Sequence, residues 1–108
     1  MNQDRVADIF QRAMESNREA FADGEYDIAD RALKLALDCA QRLKNNDFLF
    51  EVERCASKQS RYLHDHRPEY CGARHGIDTF RLIARQAGTS MRAIDHKKKI
   101  VVCPRIPA

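Results

Sequence analysis

The stretch "AFADGEYDIADRALKLALDCAQRL", residues 20–43, decides the fold of this 108-residue chain. At its start Asp23 and Gly24 supply a turn, since glycine takes positive φ at a helix end more cheaply than any other residue. After the turn, Ile28, Ala29, Ala32, Leu33, Ala36, Leu37, Ala40 and Leu43 recur at steps of three and four, with Leu35 and Cys39 widening the same face. That spacing predicts an amphipathic helix over 26–44. Before the turn, Val6, Ile9, Phe10, Ala13, Ala20 and Phe21 follow the same rhythm, interrupted by Asn17, and predict a helix over 4–22. Two helices joined so briefly form an antiparallel hairpin, and the alanines at their contact let the backbones approach closely.

Downstream, "NND" at 45–47 offers an N-cap for a third helix over 47–63. Phe48, Leu49, Val52, Cys55, Ala56, Tyr62 and Leu63 form its apolar stripe, which closes the hairpin into an acidic three-helix unit over 1–63. Phe50 falls off that stripe and is a candidate contact for a partner.

Gly24, Tyr26, Ala29, Leu33, Ala36 and Leu37 stand in the order that the tetratricopeptide repeat uses to pack its two helices. Residues 20–43 therefore resemble one such repeat, without a second copy, the first-helix aromatic and Leu-Gly, or the closing proline. The resemblance implies a groove that docks a peptide or a partner's helix.

Residues 64–76, "HDHRPEYCGARHG", read as a loop because of Pro68 and Gly72. His64, His66, Cys71 and His75 are four zinc-ligand types in twelve residues, but their spacing lacks the paired Cys-x2-4-Cys and His-x3-5-His geometry of structural zinc sites. Cys39, Cys55, Cys71 and Cys103 form no Cys-x-x-Cys pair, and the first two read as small buried hydrophobes. Cys71 with His75 has no evident orienting acid or oxyanion pocket, so neither a catalytic centre nor a metal or other cofactor is expected.

The segment "IDTFRLIARQAG", 77–88, predicts a fourth helix capped by Asp78 or Thr79, with Ile77, Phe80, Ile83, Ala84 and Ala87 on one face. Gly88 is expected to stop it, and "TS" at 89–90 to cap a short fifth helix holding Met91, Ala93 and Ile94. Ala84, Gly88, Ser90 and Ile94, with Ile83 and Ala87, match the positions that pack a helix-turn-helix, so residues 83–96, within the segment 77–96, resemble that family. The resemblance implies that Ser90, Met91, Arg92, Asp95 and His96 face a DNA major groove, with Lys97, Lys98 and Lys99 on phosphates. Lys97 departs from the pattern, which has an apolar residue there. Residues 97–108 read as a basic, extended tail ending in "IVVCPRIPA".

Charge is divided along the chain. Residues 1–53 carry 7 Lys/Arg and 12 Asp/Glu (7 − 12 = −5), and residues 54–108 carry 12 and 4 (12 − 4 = +8). A basic second half points to an anionic partner or to attraction between the halves. The longest aliphatic run is "IVV" at 100–102, so no membrane span is expected, and a cytoplasmic location is the default.

The expected fold is all-α, a single domain of four to five helices with a tetratricopeptide-like N-terminal hairpin and a short extended tail. The favoured function is a non-enzymatic adaptor that docks a protein partner, or a second copy of itself, in a helical groove. The alternative is a DNA-binding regulator that uses the helix-turn-helix-like segment and dimerises through its N-terminal bundle.

Overall fold

The computed structural model describes residues 3–68 and 79–102, and of 95–102 the backbone alone. It is all-helical among those residues: α1 spans Gln3–Ala22, α2 Tyr26–Leu43, α3 Asn46–His66 and α4 Thr79–Val102. Helices α1 and α2 pack as one hairpin and α3 and α4 as another, and the core lies between the two pairs.

Both short turns use the same device. Gly24 N–H donates to the Phe21 carbonyl and Glu25 N–H to Ala20, with Gly24 at φ +81°. At the end of α2, Lys44 N–H donates to Gln41 and Asn45 N–H to Ala40, with Lys44 at φ 50°. This paired bonding satisfies carbonyls that a helix end would leave open, and it requires a left-handed residue. Asn45 then starts α3 at once, its side chain accepting from Phe48 N–H at 3.1 Å. Three i,i+4 ion pairs, Asp8–Arg12, Asp30–Lys34 and Asp38–Arg42, brace the outer faces of α1 and α2. Each acid precedes its base, the favourable direction along a helix, and each pair contributes a few tenths of a kcal/mol at most.

The core is built from the stripes read above, Phe10 and Ala13 of α1, Ala29, Leu33, Ala36 and Ala40 of α2, Leu49, Val52, Ala56 and Leu63 of α3, and Phe80, Ile83 and Ala87 of α4, joined by Met14 of α1, which the spacing does not single out. Phe10 stacks on Phe48 with centroids 4.1 Å apart, joining α1 to α3. Phe21 presents edges or faces to Tyr26, Tyr62 and Phe80, so one ring touches all four helices.

Asn17, which interrupts the α1 stripe, is fully buried. Its Nδ2 donates to the Ala29 carbonyl (2.8 Å) and to Gln59 Oε1 (3.1 Å), while its Oδ1 accepts from Gln59 Nε2 (2.6 Å) and Cys55 Sγ (3.2 Å). Both donors and both lone pairs of the amide are therefore used.

Three expectations are corrected here. Helix α3 continues to His66, so His64 and His66 are helical and not part of a loop. Helix α4 is continuous through Gly88, which removes the expected turn and the separate fifth helix. It also runs on to Val102, so 97–102 are helical where an extended tail was expected; 103–108 lie outside the described residues, as do Cys71, His75, Ile77 and Asp78.

The reason is local packing. Gly88 has no positive φ; it is buried against α3, where a Cβ would stand 3.1 Å from Glu53 Oε2. The hydroxyls expected to cap a new helix have other partners. Thr89 Oγ1 donates back to the Arg85 carbonyl (3.0 Å), and Ser90 Oγ accepts from Gln41 Nε2 of α2 (3.0 Å).

Two outcomes follow for urea unfolding. Gly88→Ala should be neutral or stabilising by up to about 1 kcal/mol, because alanine is the better helix former and the Glu53 carboxylate can swing aside. A loss above that size would restore a turn at Gly88. Asn17→Leu should cost about 2–4 kcal/mol by stranding the Gln59 amide, and adding Gln59→Leu should recover part of the loss.

Candidate functional site

Beside the core stripe, the α1–α2 hairpin has a second series of mixed polarity, which shares Ala13 with the core and leaves Ile9, Ile28 and Leu35 exposed. The second consists of Ile9, Ala13 and Ser16, with Arg12, on α1, and of Ile28, Ala32 and Leu35, with Arg31, on α2. On each helix these positions fall at i, i+3, i+4 and i+7, the spacing of a single face. Together they line an outward groove of about 380 Å³ whose floor is Ala13 and Ala32.

Its rim is unusually apolar for a surface. Ile28 is 51% exposed, Leu35 47% and Ile9 36%. Residue spacing places Ile9 and Ile28 on the core stripe and has Leu35 widen it; the structure turns all three to solvent. The reason is geometric: α2 carries apolar residues over more of its circumference than α1, α3 and α4 together cover. The α1 and α2 faces lie along each other for two helical turns, roughly 10 Å. Arg12 on one flank pairs with Asp8 at 3.2 Å, and the Arg31 side chain on the other has no ion pair or hydrogen bond with a described residue.

Three of the residues expected to touch nucleic acid, Ser90, Met91 and Arg92, have described side chains. Ser90 is half-buried and bonded to α2, and Met91 is partly buried against the core. Arg92 is exposed, with Nη2 3.4 Å from Thr89 Oγ1. The side chains of His96, Lys97, Lys98 and Lys99, like that of Asp95, lie outside the described residues. Phe50, the expected partner contact, is 50% exposed, with the Arg54 guanidinium 5.8 Å from its ring centroid, and it is not in the groove.

No protein-family model, curated protein or solved structure matches the chain. The surface chemistry must therefore carry the functional argument.

Among the described residues no three His, Cys, Asp or Glu converge as metal ligands, and no helix is long and apolar enough to cross a membrane. Both described thiols have raised pKa. For Cys39 the cause is burial, reinforced by the Asp38 charge; for Cys55 it is burial, opposed by Arg18 and Lys58. A raised thiol pKa keeps the thiolate scarce at neutral pH, the reverse of nucleophile activation.

Cys39 and Cys55 should accordingly resist alkylation. With the other two cysteines changed to serine, iodoacetamide at pH 7.5 is expected to label the folded chain at least about tenfold more slowly than the urea-unfolded chain. Equal rates would contradict the burial and the Cys55–Asn17 bond.

Proposed function

We propose that this chain is a small, non-enzymatic interaction module that docks an amphipathic helix of a protein partner in the α1–α2 groove, the hairpin working as one tetratricopeptide-like unit. The observation that carries this reading is the pair of i, i+3, i+4, i+7 series on two neighbouring helices, whose exposed apolar members are Ile9, Ile28 and Leu35. An apolar seam of that periodicity suits a third helix, whose own i/i+3/i+4/i+7 anchors would fill it. Leaving Ile28, Leu35 and Ile9 in water has no benefit to the isolated fold, and covering them contributes roughly 25 cal/mol per Å² of apolar area removed from solvent.

The tetratricopeptide-like reading is supported by how the matching positions are used. Gly24 makes the turn, Tyr26 packs on Phe21, and Ala29, Leu33 and Ala36 are wholly buried. Arg12 and Arg31 on the two flanks favour a helix with acidic residues bordering its apolar stripe, so the interface is set by charge as well as by shape. The alternative, a nucleic-acid role, would draw on the exposed arginines of α4 together with Lys97, Lys98 and Lys99.

The test compares partner capture from an extract of the cells that make the protein, using the wild-type chain, the Ile28→Asp/Leu35→Asp double variant and Phe50→Ala as bait. Both groove positions are exposed, so the double variant should stay within about 1 kcal/mol of wild-type stability. Specific partners should be depleted at least about tenfold by the groove variant and retained by Phe50→Ala. Retention of every partner by the groove variant would show that docking occurs elsewhere. A second copy as the occupant would appear as a wild-type dimer in light scattering that the double variant abolishes.

A further inference from the structure

The opposite hairpin carries a cleft of different chemistry. Ser57, Ser60, Arg61 and His64 of α3 face Arg81 and Ala84 of α4 across about 400 Å³. Positions 57, 60, 61 and 64 repeat the i, i+3, i+4, i+7 spacing, so all four side chains leave α3 on one side. Short side chains at Ser57, Ser60 and Ala84 leave the space open, whereas one to two turns farther along α4 Gly88 lets Glu53 close it.

The lining has a single polarity. Two guanidiniums, an imidazole and two hydroxyls meet there, and no carboxylate is among the described residues that line the cleft, the Glu53 carboxylate standing beyond its end at Gly88. From Thr79 to Ile94, α4 has Arg81, Arg85 and Arg92 and no acid at all. The ion pairs found along α1 and α2 have no counterpart at Arg61, whose side chain makes no ion pair or hydrogen bond with a described residue. Guanidiniums on two different helices can each present a planar fork of N–H donors to the same tetrahedral oxyanion, and the exposed Ser57 hydroxyl supplies a shorter-range donor to a remaining oxygen.

We propose that the α3–α4 cleft binds a phosphate monoester, whether free phosphate or a phosphorylated side chain of a docked partner. The extent of the cleft favours one compact dianion. Its lining covers two turns of α3 and one of α4, on the order of 10 Å, which focuses the donors on one phosphate where a phosphodiester chain would need them spaced along a track. This site is separate from the α1–α2 groove, so a failure of either proposal leaves the other standing.

The test is a titration of the ¹⁵N-labelled chain, followed through backbone amides and arginine Nε–H signals. Inorganic phosphate, a short neutral peptide bearing one phosphoserine, and a mixed-sequence single-stranded oligonucleotide without terminal phosphate are compared against sodium chloride at equal ionic strength. Phosphate and phosphopeptide should shift Ser57, Arg61 and Arg81 with an apparent Kd of about 1 mM or tighter, the range that a few charge-assisted contacts support. Phosphopeptide binding weaker than free phosphate would restrict the site to the free ion, still within the proposal. Arg61→Gln and Arg81→Gln should each weaken binding roughly tenfold, while Arg12→Gln should not. Unchanged amide spectra away from the cleft would establish that the variants are folded. The proposal is overturned by shifts that chloride reproduces, by an equal effect of Arg12→Gln, or by tighter binding of the oligonucleotide than of the phosphopeptide.

Discussion

The amide of Asn17 is the constraint around which the bundle is arranged. It has no exposure, so each of its four hydrogen-bonding positions must be met from inside. The Ala29 carbonyl determines which way it points, because only the NH₂ end can face an acceptor. With that end fixed, Gln59 must present oxygen to nitrogen and nitrogen to oxygen, as it does. A slip of α3 by one turn along α1 would break both bonds and strand two buried amides, a penalty of several kcal/mol. Hydrophobic contacts between Leu and Ala tolerate such a slip far better. The pair thus supplies register where apolar packing supplies cohesion. Because Asn17 and Gln59 lie 42 residues apart, the α1–α2 hairpin cannot satisfy its own interior until α3 arrives, which couples the two hairpins in one folding event.

The same arrangement explains why the chain has two unlike surfaces. Asn17 and its neighbours draw one face of α1 and α2 toward α3, and the aromatic rings of Phe10 and Phe21 follow it inward. The other face, led by Ile9, Ile28 and Leu35, is then turned away from every described helix. On the far side, Ser57, Ser60 and Ala84 leave a cleft open between α3 and α4, and Arg61, His64 and Arg81 line it. One hairpin is left with an apolar groove and the other with a cationic cleft.

Much of this architecture was readable from residue spacing. Gly24, the N-cap near Asn45 and the stripes of the first three helices were all anticipated, because each depends on local chemistry. What escaped the sequence depends on partners far along the chain. "QAGTS" contains every local signal of a helix stop, and only the approach of Glu53 to Gly88 and the bond between Gln41 and Ser90 make it helix interior. Asn17 reads as an interruption of an apolar stripe, since nothing near it in sequence announces Gln59. Periodicity likewise placed Ile28 on an apolar face without saying whether another helix covers that part of it. The candidate groove was therefore legible as a set of residues and illegible as a surface; a second i, i+3, i+4, i+7 series, offset from the first, was the available signal. The cleft at Arg61 and Arg81 joins residues 20 positions apart that no local pattern links.

Phe21 has an optical consequence. The chain contains no tryptophan and three tyrosines, and two of them, Tyr26 and Tyr62, pack against this one phenylalanine from different helices. A tyrosine ring held in a fixed, asymmetric setting gives near-ultraviolet circular dichroism that a freely rotating ring lacks. Much of the chain's near-ultraviolet spectrum therefore originates at the junction of α1, α2 and α3 and reports the closing of the bundle, while the far-ultraviolet signal reports helix content wherever it forms. The protein carries its own probe for distinguishing a docked pair of hairpins from helices that have formed but not yet met.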